Sequence, residues 1–379
     1  MGPETARGLD RRHFLAAATT AATTAAVVPA IPPTLAWAAA GAPAYLAATR
    51  DAGGDYRLIG LGRDGAARFA LPLPERGHAA AAHPLRAEAV AFARRPGRFA
   101  IVIDCVAGRE LARLESPAGR HFYGHGTFSA DGRYLFTTEN AVESGEGRLG
   151  IWDAHAGYAR IGEVSTGGIG PHDLLLMPDG VTLVVANGGI RTHPESGREK
   201  LNLASMMPNL AYLRAEDGVI LDRIEPPSAL RQNSIRHLAV SPSRTVAAAM
   251  QWQGDPADGV PLLAFHRPGD GPLRFAEAAP WEMALMLGYA GSVAFTGAGT
   301  RAAITSPRGG RVMAWDVAGG PAISWSRPDV CGLAPSPGGW LATDGLGGVI
   351  QLDVDLTPKA AIRHDGAFDN HLVALQPTL

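Results

Sequence analysis

His125-Gly-Thr-Phe-Ser-Ala-Asp131-Gly132 and His172-Asp-Leu-Leu-Leu-Met-Pro178-Asp179-Gly180 are two copies of one pattern: a histidine, a short apolar run, then a tight turn. The pattern returns as His237-Leu-Ala-Val-Ser-Pro242, and more loosely as His78-Ala-Ala-Ala-Ala-His83-Pro84. His371-Leu-Val echoes it near the C-terminus, and Cys331-Gly-Leu-Ala-Pro-Ser336-Pro337-Gly338 carries a thiol in the same place. His78, His125 and His172 are spaced by 47 residues, and Cys331 and His371 by 40. A repeat of this length identifies a propeller, a solenoid or an array.

Each unit also contains further short β-prone runs separated by Gly-rich turns. Tyr134 to Thr138, Leu149 to Asp153 and Tyr158 to Val164 complete the unit opened by His125, and Thr182 to Ala186, Leu210 to Arg214 and Ile220 to Ile224 complete the next. Four strands per unit make a propeller blade. The first unit (Tyr45 to Thr49, Tyr56 to Gly60, Arg68 to Leu71) lacks an opening strand, and His371 to Leu375 supplies one. Joining the termini in one blade removes an open sheet edge. The expectation is all-β: a seven-bladed β-propeller of four-stranded blades, the first closed by the C-terminal strand. Six or eight blades, or a pair of β-sandwiches, are the alternatives.

The composition agrees. In 379 residues there are 47 Gly and 29 Pro but only 18% charged residues, suiting a compact body rich in tight turns. A formal net charge of −2 gives no footprint for nucleic acid or anionic lipid. Two cysteines in well-separated units, Cys105 and Cys331, are expected to be unpaired. Residues 1–38 are expected to be a twin-arginine signal peptide: Asp10-Arg-Arg-His-Phe-Leu15, an apolar Ala/Thr run, and a small-x-small site at Ala36-Trp37-Ala38. The run is too short for a permanent membrane span. Residues 39–379 are then a single propeller domain in the periplasm.

Strand one of a blade lines the central channel, so His78, His125, His172, His237 and His371 should converge on one channel mouth. Imidazole suits iron, copper, zinc and nickel, and these five are the candidate metal ligands. Unit six is the exception, with Tyr289 or Gly291 at that place. Cys331 reads better as a small buried apolar residue than as a ligand. The loops from strand two to strand three lie above the same mouth, and the longest, Asn187 to Asn209, reads as a lid. From them Glu139, Asn187 and Arg191 are the candidates for surrounding the ion or contacting a partner. The bland alternative is that the histidines tie neighbouring blades together. A hydrolytic set of Glu139, Asp173 and Asp329 is a weaker possibility. No Cys-x-x-Cys-His run, Gly-x-Ser-x-Gly elbow or phosphate-binding loop occurs, which removes c-type haem, the α/β-hydrolase and the nucleotide-binding readings.

Gly119-Arg-His-Phe-Tyr-Gly-His125-Gly, Thr137-Thr-Glu139-Asn140, Gly170-Pro-His172-Asp, Asn187-Gly-Gly-Ile-Arg191-Thr-His193-Pro, Arg198-Glu-Lys-Leu-Asn-Leu203 and Ile235-Arg-His237-Leu-Ala resemble family 1513 of the domains of unknown function. The resemblance implies a propeller similar to YVTN-repeat proteins and the quinoprotein amine dehydrogenase β-chain. It implies twin-arginine export and an accessory role in periplasmic iron acquisition, beside imelysin-like proteins and di-haem oxidoreductases. It supplies no activity. The leading expectation is therefore a propeller that binds iron, copper or a metal-bearing partner. A propeller enzyme (oxidoreductase or lactonase-like) and a protein-interaction scaffold are the alternatives.

Overall fold

The computed structural model describes residues 33–94, 99–196 and 199–375. Seven four-stranded antiparallel sheets form a closed ring, as the repeat required. The inner strands are, in order around the ring, Gly366–Ala374, Gly77–Ala82, Arg120–Phe128, Pro171–Leu176, Asn233–Val240, Ser292–Phe295 and Val330–Ser336. Each touches the next, and the last returns to the first. Blade one pairs Gly366–Ala374 with Tyr45–Asp51, followed by Tyr56–Leu61 and Ala67–Leu73. The C-terminal strand thus closes the ring.

Burial explains the composition of each layer. Second and third strands are sandwiched between neighbouring blades, so they are apolar on both faces: Thr182–Asn187 is buried at every position. Outer strands face solvent and carry charge, and Pro358–Arg363 is exposed throughout. Its leading proline costs nothing there, because an edge strand has no outer neighbour. Trp340, fully buried in blade seven, donates its Nε1–H to Ala294 O of blade six (3.1 Å). Truncating such a residue costs about 3–5 kcal/mol.

Tight turns join strands one and two on one face of the disc. Asp131 accepts the backbone N–H of Arg133, and Gly132 takes φ +71°. Asp179 caps the following N–H groups of Val181 and Thr182 in the same way. Where the repeat is weakest, blade six is preceded by a short helix, Pro280–Ala284, which the strand pattern did not reveal.

The twin-arginine stretch lies outside the described residues. Ala36-Trp37-Ala38 lies in a short helix, Pro33–Ala38. Trp37 is only 3% exposed and packs into the core of blades one and two with Leu46, Leu58 and Ala89. Its indole N–H reaches His83 O at 3.4 Å. A cut after Ala38 removes this side chain from the core. Among the described residues no helix is long and apolar enough to cross a membrane.

Candidate metal centre

Inner-strand side chains ordinarily alternate between the two blade interfaces. The histidines escape this because the inner strands are irregular where they stand. The ladder to strand two shifts register between Gly77 and Ala80, Phe122 and Gly126, Pro171 and Asp173, Ile235 and His237, and opposite Ala47/Thr49 in the strand bearing His371. Such bulges rotate a side chain out of the alternation. Ser292–Phe295 of blade six, which has no histidine, pairs without a shift.

The five rings form a closed circuit. Centroids are 5.0 Å apart for His78–His125, 5.0 Å for His125–His172, 4.8 Å for His172–His237, 4.8 Å for His237–His371 and 4.5 Å for His371–His78. Potential ligand atoms of His78, His125 and His172 lie within 4.8 Å of one another, and so do those of His125, His237 and His371. The rings stand inside the channel, 3–9% exposed, rather than around an open mouth. The seven-blade rim is narrow enough at this level for one ion to touch several of them. A cavity of 380 Å³ runs from His125, His237 and His371 along the inner strands toward the tight-turn face.

The tautomer of His125 follows from its partner. His125 Nδ1 is 3.1 Å from Asp173 Oδ1, so it carries the proton and leaves Nε2 with a lone pair. Asp173 also accepts the backbone N–H groups of Leu174 (2.8 Å) and Leu238 (2.9 Å). His78 Nδ1 faces Asp369 Oδ1 at 3.5 Å, an electrostatic contact at the limit of hydrogen bonding. That contact does not fix the His78 tautomer, and with its proton on Nε2 the ring donates to His125 Nε2. The two Nε2 atoms face each other 3.3 Å apart.

In the metal-free protein one neutral ring donates to the other across this distance, and with both protons on Nδ1 the two lone pairs converge on a place for a cation. A protonated, cationic pair is disfavoured, because burial holds the His78 pKa down to about 4, against the pull of Asp369. Burial first, and then positive neighbours including Arg236, Arg94 and the other rings, keep His172, His237 and His371 well below the ordinary histidine range. Nδ1 of His172, Nδ1 of His237 and Nε2 of His371 are buried with no protein hydrogen-bond partner. A nitrogen separation of 3.3 Å lets both atoms reach one ion at ordinary metal–nitrogen distances of about 2.0–2.1 Å. The donor set therefore fits a transition-metal ion. The carboxylates behind the rings reproduce the carboxylate–histidine–metal arrangement that orients ligands.

Asp369 is the second of those carboxylates. Arg76 Nε and Arg94 Nη1 each donate to it at 2.7 Å. Burial opposes its ionisation, but His78, Arg94 and Arg76 outweigh it and hold the group well below the usual carboxylate range. Neither Asp173 nor Asp369 was assigned to the metal site from sequence. The adjacency His172-Asp173 was a usable signal, although the ring Asp173 orients belongs to the neighbouring blade.

The residues expected to surround the ion stand elsewhere. Glu139 is fully buried in strand two of blade three, where its Oε1 accepts from Arg160 (2.7 Å) and Thr137 (2.9 Å). Asn187 donates to Thr166 O and Asn209 Oδ1, both at 2.9 Å, and so fastens blade four to blade three. Arg191 caps Glu143 O. None of these contacts reaches an imidazole. Glu139, Asp173 and Asp329 have separate surroundings and form no hydrolytic set, with Asp329 on the surface.

Cys331 sits on the inner strand but its Sγ points at backbone carbonyls of Thr343, Phe368 and Asp369. Burial pushes its thiol up to about 12. The loop 188–208 spans blades three to five, with Lys200 Nζ on Gln253 Oε1 (2.6 Å) and Gln232 Nε2 on Leu203 O (3.3 Å). His193 stands in it beside Glu195, half-buried and apart from the five rings. Tyr289, ahead of the inner strand of blade six, accepts from Asn370 Nδ2 (3.1 Å).

Residues 71–375 match the family "Protein of unknown function (DUF1513)", and the chain belongs to that family. No curated protein matches the sequence. Among solved structures, hydrazine synthase of Kuenenia stuttgartiensis is similar over 91% of this chain and 98% of that one, with a TM-score of 0.56 at 12% identity. BamB from Moraxella catarrhalis is similar over 87% and 85%, with a TM-score of 0.53 at 13% identity. At such identities the likeness is one of fold.

Proposed function

We propose that this member of the DUF1513 family is a transition-metal-binding propeller whose ion sits on the axis of the ring, held by His78, His125, His172, His237 and His371. The observation that carries this is the convergence of ligand atoms: those of His78, His125 and His172 lie within 4.8 Å of one another, and so do those of His125, His237 and His371. Neutral imidazole donors favour iron, copper, zinc and nickel over hard ions such as calcium or magnesium. The bound ion supplies a Lewis-acidic or redox centre, and the chain supplies the ring orientation and the exclusion of bulk water. The family resemblance favours iron or copper, handled in the periplasm after twin-arginine export. An accessory role in iron acquisition fits, with imelysin-like or di-haem proteins as partners.

Elemental analysis tests the reading. The protein purified from its producing cells, or reloaded with iron(II) or copper under anaerobic conditions, should carry about one ion per chain. The His125→Ala/His172→Ala double variant should carry none. Metal-free protein that takes up neither ion sinks the reading.

A further inference from the structure

The inference concerns which side of the site is open, and it rests on the metal reading above. The cavity of 380 Å³ is the axial channel itself: all seven inner strands line it, from the level of the histidines to the tight turns. Its floor orders the five rings along the axis. His125, His237 and His371 line it directly, whereas in blades two and four the lining starts one residue later, at Ala79 and Asp173. His78 and His172 therefore stand behind the other three, away from the cavity. The three floor rings are also one of the two groups whose ligand atoms lie within 4.8 Å of one another.

The far side is spanned by side-chain bonds. Arg76 and Arg94 at blade two hold Asp369 of blade one, and Asn370 reaches Tyr289 ahead of blade six. The loop 188–208 is fastened there through Lys200 and Gln253. The cavity side differs. Its only ionisable lining side chains are the three histidines and Asp173, which is already engaged by His125 and two backbone N–H groups. Each inner strand is the terminal strand of its sheet, so one edge of backbone N–H and C=O groups faces the axis without a ladder partner. Such a passage carries no free charge yet is polar enough for water. At Pro242, which is exposed, it meets the surface. Its volume lies at the small end of the range for small-molecule sites, about 300–1,000 Å³.

We infer that the metal site is open toward the axial channel, where His125, His237 and His371 present an exchangeable position to the tight-turn face. The ion enters and leaves by this route, and one small donor molecule, a few atoms long with a lone pair to give, binds there. Three histidines with the fourth position left to water or another donor make an exchangeable metal centre. The passage selects that donor by size, since no lysine or arginine lines it to select by charge.

Copper(II) is the probe ion, because it accepts imidazole and its visible spectrum reports a change of ligand. Azide is the probe donor. Thr127 and Ala239 line the channel, are half-buried and are not candidate ligands, so Thr127→Trp and Ala239→Trp each put an indole into the passage. Lys200→Ala loosens the loop on the far side. Melting curves show which variants fold, and copper content is read by elemental analysis. In the wild type, azide should change the copper spectrum saturably. Each Trp variant should keep the wild-type copper content, while azide affinity and the rate of copper loss to a chelator both fall about tenfold. Lys200→Ala should leave both unchanged. A copper spectrum that azide does not move overturns the inference. So does copper loss that is unslowed in the folded Trp variants, or that Lys200→Ala speeds, which would put the route on the loop face. A protein that takes up no copper also overturns it, and the iron content then shows whether the metal reading falls with it.

Discussion

Gly124 lies against the ring of His78 in the neighbouring blade: a Cβ at Gly124 would stand 2.9 Å from His78 Cδ2. Its φ is +97°, a conformation that costs other residues strain. The glycine does two jobs, turning the bulge that delivers His125 and leaving room for His78. Gly124→Ala should lower stability by about 1–3 kcal/mol. It should also weaken metal binding, as measured by chelator competition. Unchanged affinity would mean that the two rings are not held by this contact.

Asp173 orients His125 while tying blade four to blade five through Leu238 N–H. Asp173→Asn keeps the shape but removes the charge that fixes the His125 tautomer. Metal affinity should fall about 10–100-fold. Calorimetric titration with the ion checks this, and a loss of less than twofold would remove Asp173 from the site.

In the metal-free protein the rings are a burden. His237 buries an Nδ1 with no protein partner. His237→Leu should therefore raise the stability of the metal-free protein by about 1 kcal/mol while weakening metal binding. Denaturant unfolding with and without ion separates the two effects. A destabilised metal-free variant would instead support the reading of the ring as blade architecture.

Acid should act on the metal-free protein in a defined window. Burial holds His78 at about 4, below its ordinary 6.5. Between those values the unfolded chain binds the proton and the folded one does not. Stability therefore falls as pH drops from 6.5 to 4, by about 1.4 kcal/mol per pH unit for each such group, and is insensitive to His78 above 6.5. The lowered values of His172, His237 and His371 act in the same direction. Because protons compete poorly for these rings, the loaded protein should keep its ion to a lower pH than an exposed histidine site. Melting curves across pH, with and without ion, check both statements, and a flat curve from pH 6.5 to 4 contradicts the first.

Trp37 joins the segment ahead of the first strand to the core of blades one and two. Trp37→Ala should cost about 3–5 kcal/mol. Thermal melting of this variant, beside a chain starting at Ala39, measures the contribution. Melting equal to that of the full chain would show that the indole contributes nothing to the fold.

The propeller was legible because turn chemistry and strand period repeat together, and five histidines stood in register with them. What the histidines do with that register was less legible. A bulge leaves no mark in composition, so the rotation of His78 or His125 into the channel could only be supposed. Glu139 shows the same difficulty in reverse. Strand two of blade three runs Tyr134–Ala141, past the Thr138 suggested by the β-prone run, which makes Glu139 part of a buried ladder instead of a loop. Its partner Arg160 is 21 residues away, on the outer strand. Asp369 was hidden for a different reason: its meaning depends on Arg76 and Arg94, 293 and 275 residues away.

The strand bearing His371 is made after the other described strands and is the one that shuts the ring. A chain still emerging from the ribosome therefore has four of the five imidazoles and an open first blade, and gains the fifth only on closure. On the proposed metal reading, ion capture and ring closure would be one event seen from two sides. The ion would then work as a clasp, engaging best once the two ends of the fold have met and then resisting their separation.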